Sequence, residues 1–408
     1  MTALVSLIGG QHVPNLLVIQ EVRPDRLVLL VTRGMQRGKD QLLQALLLGG
    51  LDYRSRCETV PIDDENSAHE VSGKLDAAYT TRPNGEEWVV NLTGGRKPMS
   101  IGAYTFSTTH NLPALYIAEQ RQGEAIDLRG GSSLPLRYAI NTKEFLAGYG
   151  FDLRNAHVLD RNARQASSSL DLAAHLTANH ENGSLNGFLG RLQTLKEKKI
   201  RAAKKDYERN GITLSTRDAV SLKNVPMGDR ICYQYGLTLN GPFITGNLDR
   251  HAVEFLTGKW LEVFIWGVLS PFEGTAIGDL NIGINVGGTG QGQDNELDVS
   301  YIKDQSLCIV ECKTGGQSHD PNADNTLYKI EAIKAGLGAI RVETYFATTS
   351  SNGIDKKTGL IKESLKNRAS LYNCAIIPGD QLSEMAELWI RKDTAALTQK
   401  VRSAFKLP

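Results

Sequence analysis

Through the first third of the chain, short apolar runs alternate with stripes of helical period. ALVSLIGG (3–10) reads as a strand closed by Gly9-Gly10, and RLVLLVT (26–32) as a second strand. Between residues 36 and 48, Leu42, Leu43, Leu46 and Leu47 share one helical stripe. Gly49-Gly50 comes next, where a left-handed residue commonly closes a helix. RSRCETVPI (54–62) and EEWVVNLTGG (86–95) predict further strands, then a helix begins near Lys97 and a strand covers PALYIAE (113–119). Strands alternating with helices predict a parallel, doubly wound sheet, so residues 1–150 are expected to form a Rossmann-like α/β domain.

The pattern changes over 151–245, which is polar, mostly of helical period, and expected to be a mainly helical linker region. It carries a basic run of Lys196, Lys198, Lys199, Arg201, Lys204, Lys205 and Arg209, interspersed with Glu197, Asp206 and Glu208. That run is either a solvated helix face or a track for a phosphate backbone. Residues 246–408 open with a strongly apolar helix (248–269). AIGDLNIGINV, ELDVSYI and SLCIVECK then predict three strands, followed by a helix (325–337), the strand VETYFATT, a helix, the strand CAIIP and a final helix. This order predicts a second α/β domain.

A length of 408 residues fits two or three domains at roughly 150 residues each. With 41% hydrophobic and 22% charged residues the chain can bury a sizeable core. Lys+Arg of 46 against Asp+Glu of 45 excludes a uniformly basic coat and leaves room only for a local patch. The longest apolar runs (27–31 and 46–48) fall far short of the ~20 residues of a membrane span. No Lys or Arg precedes the first apolar run, so no secretory signal is expected. Cys57, Cys232, Cys308, Cys312 and Cys374 are scattered without a CxxC pair, which points to neither a disulfide framework nor a cysteine zinc site. A cytoplasmic protein is expected.

The stretch ELDVSYIKDQSLCIVECK is the most informative for chemistry. If Ile302 and Leu307 flank the turn Lys303-Asp304-Gln305-Ser306 as partners, Asp298 stands opposite Glu311. Like charges directly opposed across antiparallel strands are destabilising. A hard divalent cation such as Mn²⁺ or Mg²⁺ would remove that penalty. Lys313 lies two residues after Glu311, on the same face and ~6–7 Å along the strand. The Cys312 side chain points away, while its carbonyl stands near the carboxylates as a further candidate ligand. Glu262 lies in GKWLEVFIW with Ile265 and Trp266 on its own helical face, where an unpaired carboxylate is costly to bury. Pairing or metal coordination would account for it.

In the N-terminal domain, ligands of an open parallel sheet bind beyond the carboxyl ends of the strands. The residues there are Gly9, Gly10, Gln11, His12 and Asn15, then Thr32 and Arg33, then Thr93, Gly94, Gly95, Arg96 and Lys97. Gly94 and Gly95 allow close backbone approach, and the helix after them aims its first amides at an anion. The loop is neither GxGxxG nor GxxxxGK[ST], so an anionic, polyphosphate-like ligand is expected in place of a dinucleotide cofactor.

Asp298…Glu311-x-Lys313 on consecutive strands, behind a glutamate-bearing helix, resembles the PD-(D/E)xK nuclease superfamily. That resemblance implies a sheet flanked by helices, with Glu262, Asp298 and Glu311 holding metal and Lys313 assisting an attacking water. Many members have Pro-Asp where this chain has Leu297-Asp298. It also implies substrate contacts from Tyr328 and Lys329 in the next helix.

NLTGGRKPMSIGAY closely resembles the nucleotide-sensing loop of CARF domains. The two domains in this order resemble the CRISPR ancillary nucleases that cyclic oligoadenylate activates in type III antiviral defence. The resemblance implies a homodimer whose CARF domains jointly bind the ring, and metal-dependent cleavage of DNA and/or RNA. A two-fold dimer presents each patch twice, so a ring of two-fold symmetry fits its axis. Cyclic tetra-adenylate and cyclic hexa-adenylate both qualify, and the resemblance favours four. Gln11, Asn15 and Thr93 are candidates for the adenine edges. Two rivals stand beside this reading: a CARF-regulated, non-catalytic nucleic-acid-binding protein, and a ring nuclease that degrades the messenger.

Overall fold

The alternation of buried residues along each early strand divides the N-terminal domain into two cores. β1 (Thr2–Leu7), β2 (Arg26–Thr32), β3 (Cys57–Ile62), β4 (Glu87–Asn91) and β5 (Ala114–Tyr116) lie parallel in the order β3-β2-β1-β4-β5. Leu4, Leu27 and Leu29 face one side, with α1 (Val13–Val22) and α2 (Gln36–Leu48). Val5, Leu7 and Val28 face the other, with α3 (Ala68–Thr80) and α4 (Lys97–Thr109). A parallel sheet covered on both faces requires such apolar strands. Two short strands, β6 (Glu124–Asp127) and β7 (Ser133–Pro135), extend the sheet antiparallel beyond β5. The sequence pattern shows only its parallel part.

In this computed structural model the described residues are all except 119–122, 289–293, 316–326, 329, 332–333, 336–341, 351–353, 356–357 and 359. Among them no helix is long and apolar enough to cross a membrane.

After α5 (Thr142–Gly148) the chain enters the C-terminal sheet at once, through β8 (Phe151–Leu153). α6 (Leu159–Ala178), α7 (Gly183–Asn210) and α8 (Gly228–Tyr235) supply the expected helices of the middle segment. A small sheet of β9 (Ile212–Leu214), β10 (Thr238–Asn240) and β11 (Phe243–Leu248) lies among them, in the order β10-β11-β9. The middle segment is therefore structurally mixed and partly merged with the C-terminal domain.

The apolar helix read over 248–269 is broken in two. α9 (Arg250–Glu254) leads through a wide, π-helical turn at Phe255–Lys259 into α10 (Trp260–Leu269). Gly258 absorbs the irregularity with φ of 160°, ψ of −38°. Among the described residues, five strands come after it: β12 (Gly278–Gly288), β13 (Asn295–Lys303), β14 (Ser306–Lys313), β15 (Val342–Thr348) and β16 (Cys374–Pro378). With β8 they form a mixed sheet in the order β16-β15-β14-β13-β12-β8. α11 (Glu363–Leu371), α12 (Gly379–Ile390) and α13 (Thr394–Phe405) complete the domain.

The two sheets share a core. Ile302, Leu307 and Ile309 of β13 and β14 pack in one apolar cluster with Leu46 of α2 and Phe145 and Leu146 of α5. Val299, Val310 and Tyr345 instead join the cluster formed with α6, α10 and α12.

Candidate functional site

The turn between β13 and β14 sets the register of the acidic residues. Ile302 pairs with Leu307, Tyr301 with Cys308, and Val299 with Val310, as the apolar pattern predicts. The paired register ends at Val299–Val310, and Asp298 and Glu311 are the next residues of the two strands. Asp298 Oδ2 accepts the backbone N–H of Cys312 at 2.7 Å, which ties its carboxylate to the neighbouring strand. Lys313 Nζ donates to Glu311 Oε1 at 3.0 Å, so the ammonium and the fully buried carboxylate share a face. Cys312 is itself buried, its thiol packed with the α6–α10 cluster.

Glu262 enters from α10, whose tryptophan, leucine and phenylalanine residues bury the helix around it. Burial pushes its carboxyl pKa well up, and the charge of Asp298 pushes it further, against Lys259 and Lys313. The Cys312 thiol is likewise raised, by burial and then by Asp298, Glu262 and Glu311. Glu262 and Asp298 thus act on one another, and all three carboxylates act on the Cys312 thiol. For Lys313, burial opposes the charge, but Glu311 and Asp298 outweigh it and keep the amine protonated. Glu262, Cys312 and Lys313 line one cleft of about 980 Å³.

Carboxylate oxygens are the donors a hard divalent cation takes, and a cation would relieve the repulsion between Glu262 and Asp298. Among the described residues, no group of three or more His, Cys, Asp or Glu side chains is arranged to hold a metal ion. Asp298 and Glu311 are instead engaged with the Cys312 N–H and with Lys313.

Two residues in this cleft are not singled out by the sequence. Lys259, one turn before Glu262, binds Glu296 at 2.8 Å. Lys196 of α7 reaches Thr257 Oγ1 at 3.1 Å. The spacing of Lys259 to Glu262 is a readable signal; nothing separates Lys196 from the rest of its basic run. Elsewhere in that run Arg201 pairs with Glu197, Lys204 with Glu208 and Lys199 with Asp206, as a solvated helix face does. Tyr328 is 52% exposed, its ring under the Arg368 guanidinium, and is not among the cleft-lining residues. Lys329 lies outside the described residues.

At the sensor end, the loops after β1 and β4 touch through glycine. A Cβ on Gly9 would lie 2.7 Å from Gly95 N, and one on Gly94 would lie 2.3 Å from Leu7 O. Gly10 and Arg33 are exposed, Gln11 half-buried and Thr32 buried. α4 starts at Lys97 with no side-chain cap, leaving its first amides to an anion. Arg96 holds Glu65 at 2.9 Å in a surface pair, a weak contact that a ligand phosphate can replace.

Asn15 departs from the expected adenine contact. It is fully buried, donating to Leu7 O at 2.9 Å and accepting from Asn91 Nδ2 at 2.8 Å, so it braces the loop instead. Thr93 Oγ1 accepts the N–H of Ile117 at 2.8 Å. His12 is buried against Gly38 and Gly148.

Residues 3–145 match the Card1 CARF domain, and residues 249–389 the family described as Card1-like, endonuclease domain. Comparison with curated proteins gives no match. Among solved structures, Can2 from Sulfobacillus thermosulfidooxidans in complex with cyclic tetra-adenylate gives a TM-score of 0.66 at 19% identity, covering 96% of this chain and 99% of that one. Protein VC1899 from Vibrio cholerae gives 0.73 at 18% identity, covering 99% and 98%. A type III CRISPR defence DNA nuclease activated by cyclic oligoadenylate gives 0.50 at 15% identity, covering 90% and 51%. At these identities the structural likeness is one of fold. With a CARF domain and an endonuclease domain matched in that order around a shared core, the chain belongs to the Card1-like CARF endonucleases.

Proposed function

We propose that this protein is a metal-dependent endonuclease of type III CRISPR defence, switched on by cyclic oligoadenylate, with cyclic tetra-adenylate the favoured ring. The observation that carries the chemistry is the Lys313–Glu311 contact of 3.0 Å, made by a lysine that lines one cleft together with Glu262. Glu262, Asp298 and Glu311 would hold Mn²⁺ or Mg²⁺, with the Cys312 carbonyl as a further ligand. A divalent ion so held supplies a Lewis acid for a phosphoryl oxygen and lowers the pKa of water.

The chain's own groups prepare that site. The Cys312 N–H fixes one oxygen of Asp298. Lys313, kept cationic by Glu311 and Asp298, is placed to orient the attacking water and to stabilise charge gathering on the phosphate. Lys259, raised by Glu262 and Glu296 against its burial, keeps a second ammonium beside the carboxylates.

The ligand end is built on the glycine contacts. Gly9–Gln11, Thr32-Arg33 and Thr93–Lys97 form an anion-accepting rim, with the α4 amides directed into it. Ile101 and Tyr104 stand 59% and 38% exposed on α4, just beyond that rim. A second copy covering them would join two rims in a homodimer, the arrangement a two-fold ring needs. Ligand that favours one dimer state then shifts the nuclease through the shared core.

The test is cleavage of plasmid, single-stranded DNA and RNA, with and without cyclic tetra-adenylate and cyclic hexa-adenylate, in Mn²⁺, Mg²⁺ and EDTA. Ring-dependent cleavage that EDTA and Glu311→Ala both abolish supports the reading. Cleavage retained by Glu311→Ala overturns the site.

A further inference from the structure

The cleft at Glu262 has two walls, and only one belongs to the catalytic domain. The other comes from the middle segment: Arg161 of α6, Lys196 of α7, and Arg230 and Tyr233 of α8. Of the basic run on α7, Lys196 is the member turned inward. Lys199, Arg201 and Lys204 satisfy their charges with acidic residues of their own helix. Lys196 crosses instead to Thr257, in the wide turn that leads to Lys259 and Glu262.

Its partner there is neutral and already half used. The Thr257 hydroxyl gives its proton to Val253 O at 2.7 Å, so its oxygen is left to accept from Lys196 Nζ at 3.1 Å. Among the described residues no carboxylate lies within ion-pair distance of that ammonium. Burial disfavours its charge most, Glu254 and Glu197 favour it, and Lys259 and Arg250 oppose it. Glu254 is itself taken by Arg250 at 2.6 Å. A desolvated cation without an anion is unfavourable unless something completes it. A polyanionic strand in the cleft would do so.

We propose that Lys196 is a substrate-positioning residue, its ammonium binding a backbone phosphate of the nucleic acid strand lying in the cleft. The middle segment is then the second half of the substrate site, holding the strand against the wall that carries Glu262 and Lys313. This rests on the nuclease reading and adds to it a residue from outside the catalytic domain.

Two measurements on the full chain, with wild type, Lys196→Gln, Lys196→Arg and Lys198→Gln, decide it. The first is anisotropy of a labelled oligonucleotide without added metal, across a salt series; the second is steady-state cleavage. One lost phosphate contact lowers the slope of log affinity against log salt by about 0.7 to 0.9. Lys196→Gln is expected to show that loss, with affinity roughly tenfold weaker at low salt. KM should rise with kcat little changed. Lys196→Arg should restore the slope, and Lys198→Gln, exposed on the same helix, should keep it.

Wild-type slope and KM in Lys196→Gln, while wild type cleaves, overturn the proposal. A loss that Lys196→Arg does not rescue also overturns it, as that marks a packing defect. Wild type that binds with a Lys196-dependent slope but never cleaves leaves the phosphate contact standing and removes the nuclease reading.

Discussion

The side-chain amide of Gln305 donates to the carbonyl of Tyr138 at 2.7 Å, binding the tip of the acidic hairpin to the N-terminal domain. Its oxygen accepts the N–H of Ile140 at 3.2 Å. Asp304 and Gln305 both have positive φ, 48° and 60°, the geometry of a two-residue hairpin turn. A non-glycine residue there is strained by about 1 kcal/mol or more. The hairpin that places Asp298 and Glu311 is thus held, at its tip, by the domain that carries the ligand loops.

Gln305→Ala loses both bonds and keeps the strained turn, so unfolding in urea should show a destabilisation of about 2 kcal/mol. Gln305→Gly also loses the bonds but relieves the backbone, and should be destabilised less. Both should show the same reduced ratio of ligand-stimulated to basal cleavage. Stimulation that recovers in the glycine variant would show that turn strain, and not the clamp, carries the coupling.

Glu262 is buried beside Asp298 with its pKa pushed up, a cost borne by the metal-free fold. Glu262→Gln removes the repulsion at nearly equal shape. In EDTA it should be more stable than wild type by about 1 kcal/mol, read as a higher Tm. Its cleavage in Mn²⁺ should fall by at least about a hundredfold. A variant less stable than wild type in EDTA would mean that the carboxylate is a structural bond and not a ligand in waiting.

The register of that hairpin was legible because a polar turn separates two strands of clear apolar pattern, and a slip of one residue would turn every side chain over. The parallel part of the first sheet was legible because continuous apolar runs alternate with stripes of helical period. β8 was not: three residues long, it pairs with β12 across more than a hundred residues of chain, and no local pattern marks it. Asn15 looked like a free loop polar group because its partner, Asn91, is 76 positions away. Lys196 was hidden in a run of like residues, and only the fold shows which one turns inward.

Ile101 and Tyr104 test the dimer. Exposed apolar side chains one turn apart, beside a ligand rim, are expected to be covered in solution. Ile101→Asp with Tyr104→Glu should convert the protein from dimer to monomer in light scattering. The same variant should lose ring-stimulated cleavage while each monomer keeps its fold by circular dichroism. Wild type that is monomeric with the ring bound, and still stimulated, would remove the dimer from the mechanism.

His12 gives a pH dependence of determined sign. Burial lowers its pKa from 6.5 to about 4, so the folded protein holds the imidazole neutral where the unfolded chain begins to protonate. Well above pH 6.5 both states are neutral and stability does not depend on this group. As pH falls from 6.5 toward 4, the unfolded state binds the extra proton and stability drops, by at most about 3 kcal/mol. The residue packs between α2 and the end of α5: a Cβ on Gly38 would lie 2.9 Å from its Cε1, and one on Gly148 would lie 3.6 Å from its Cβ. Charging it would wedge that junction, and the loop Gly9–Gln11 is attached directly to it. Urea unfolding of wild type and His12→Asn from pH 7 to 4 measures this, and the acid limb of the asparagine variant should be flatter. Identical acid limbs, or a His12 ring proton titrating near 6.5 by NMR in the folded protein, would show that the imidazole is solvated and carries none of the acid sensitivity.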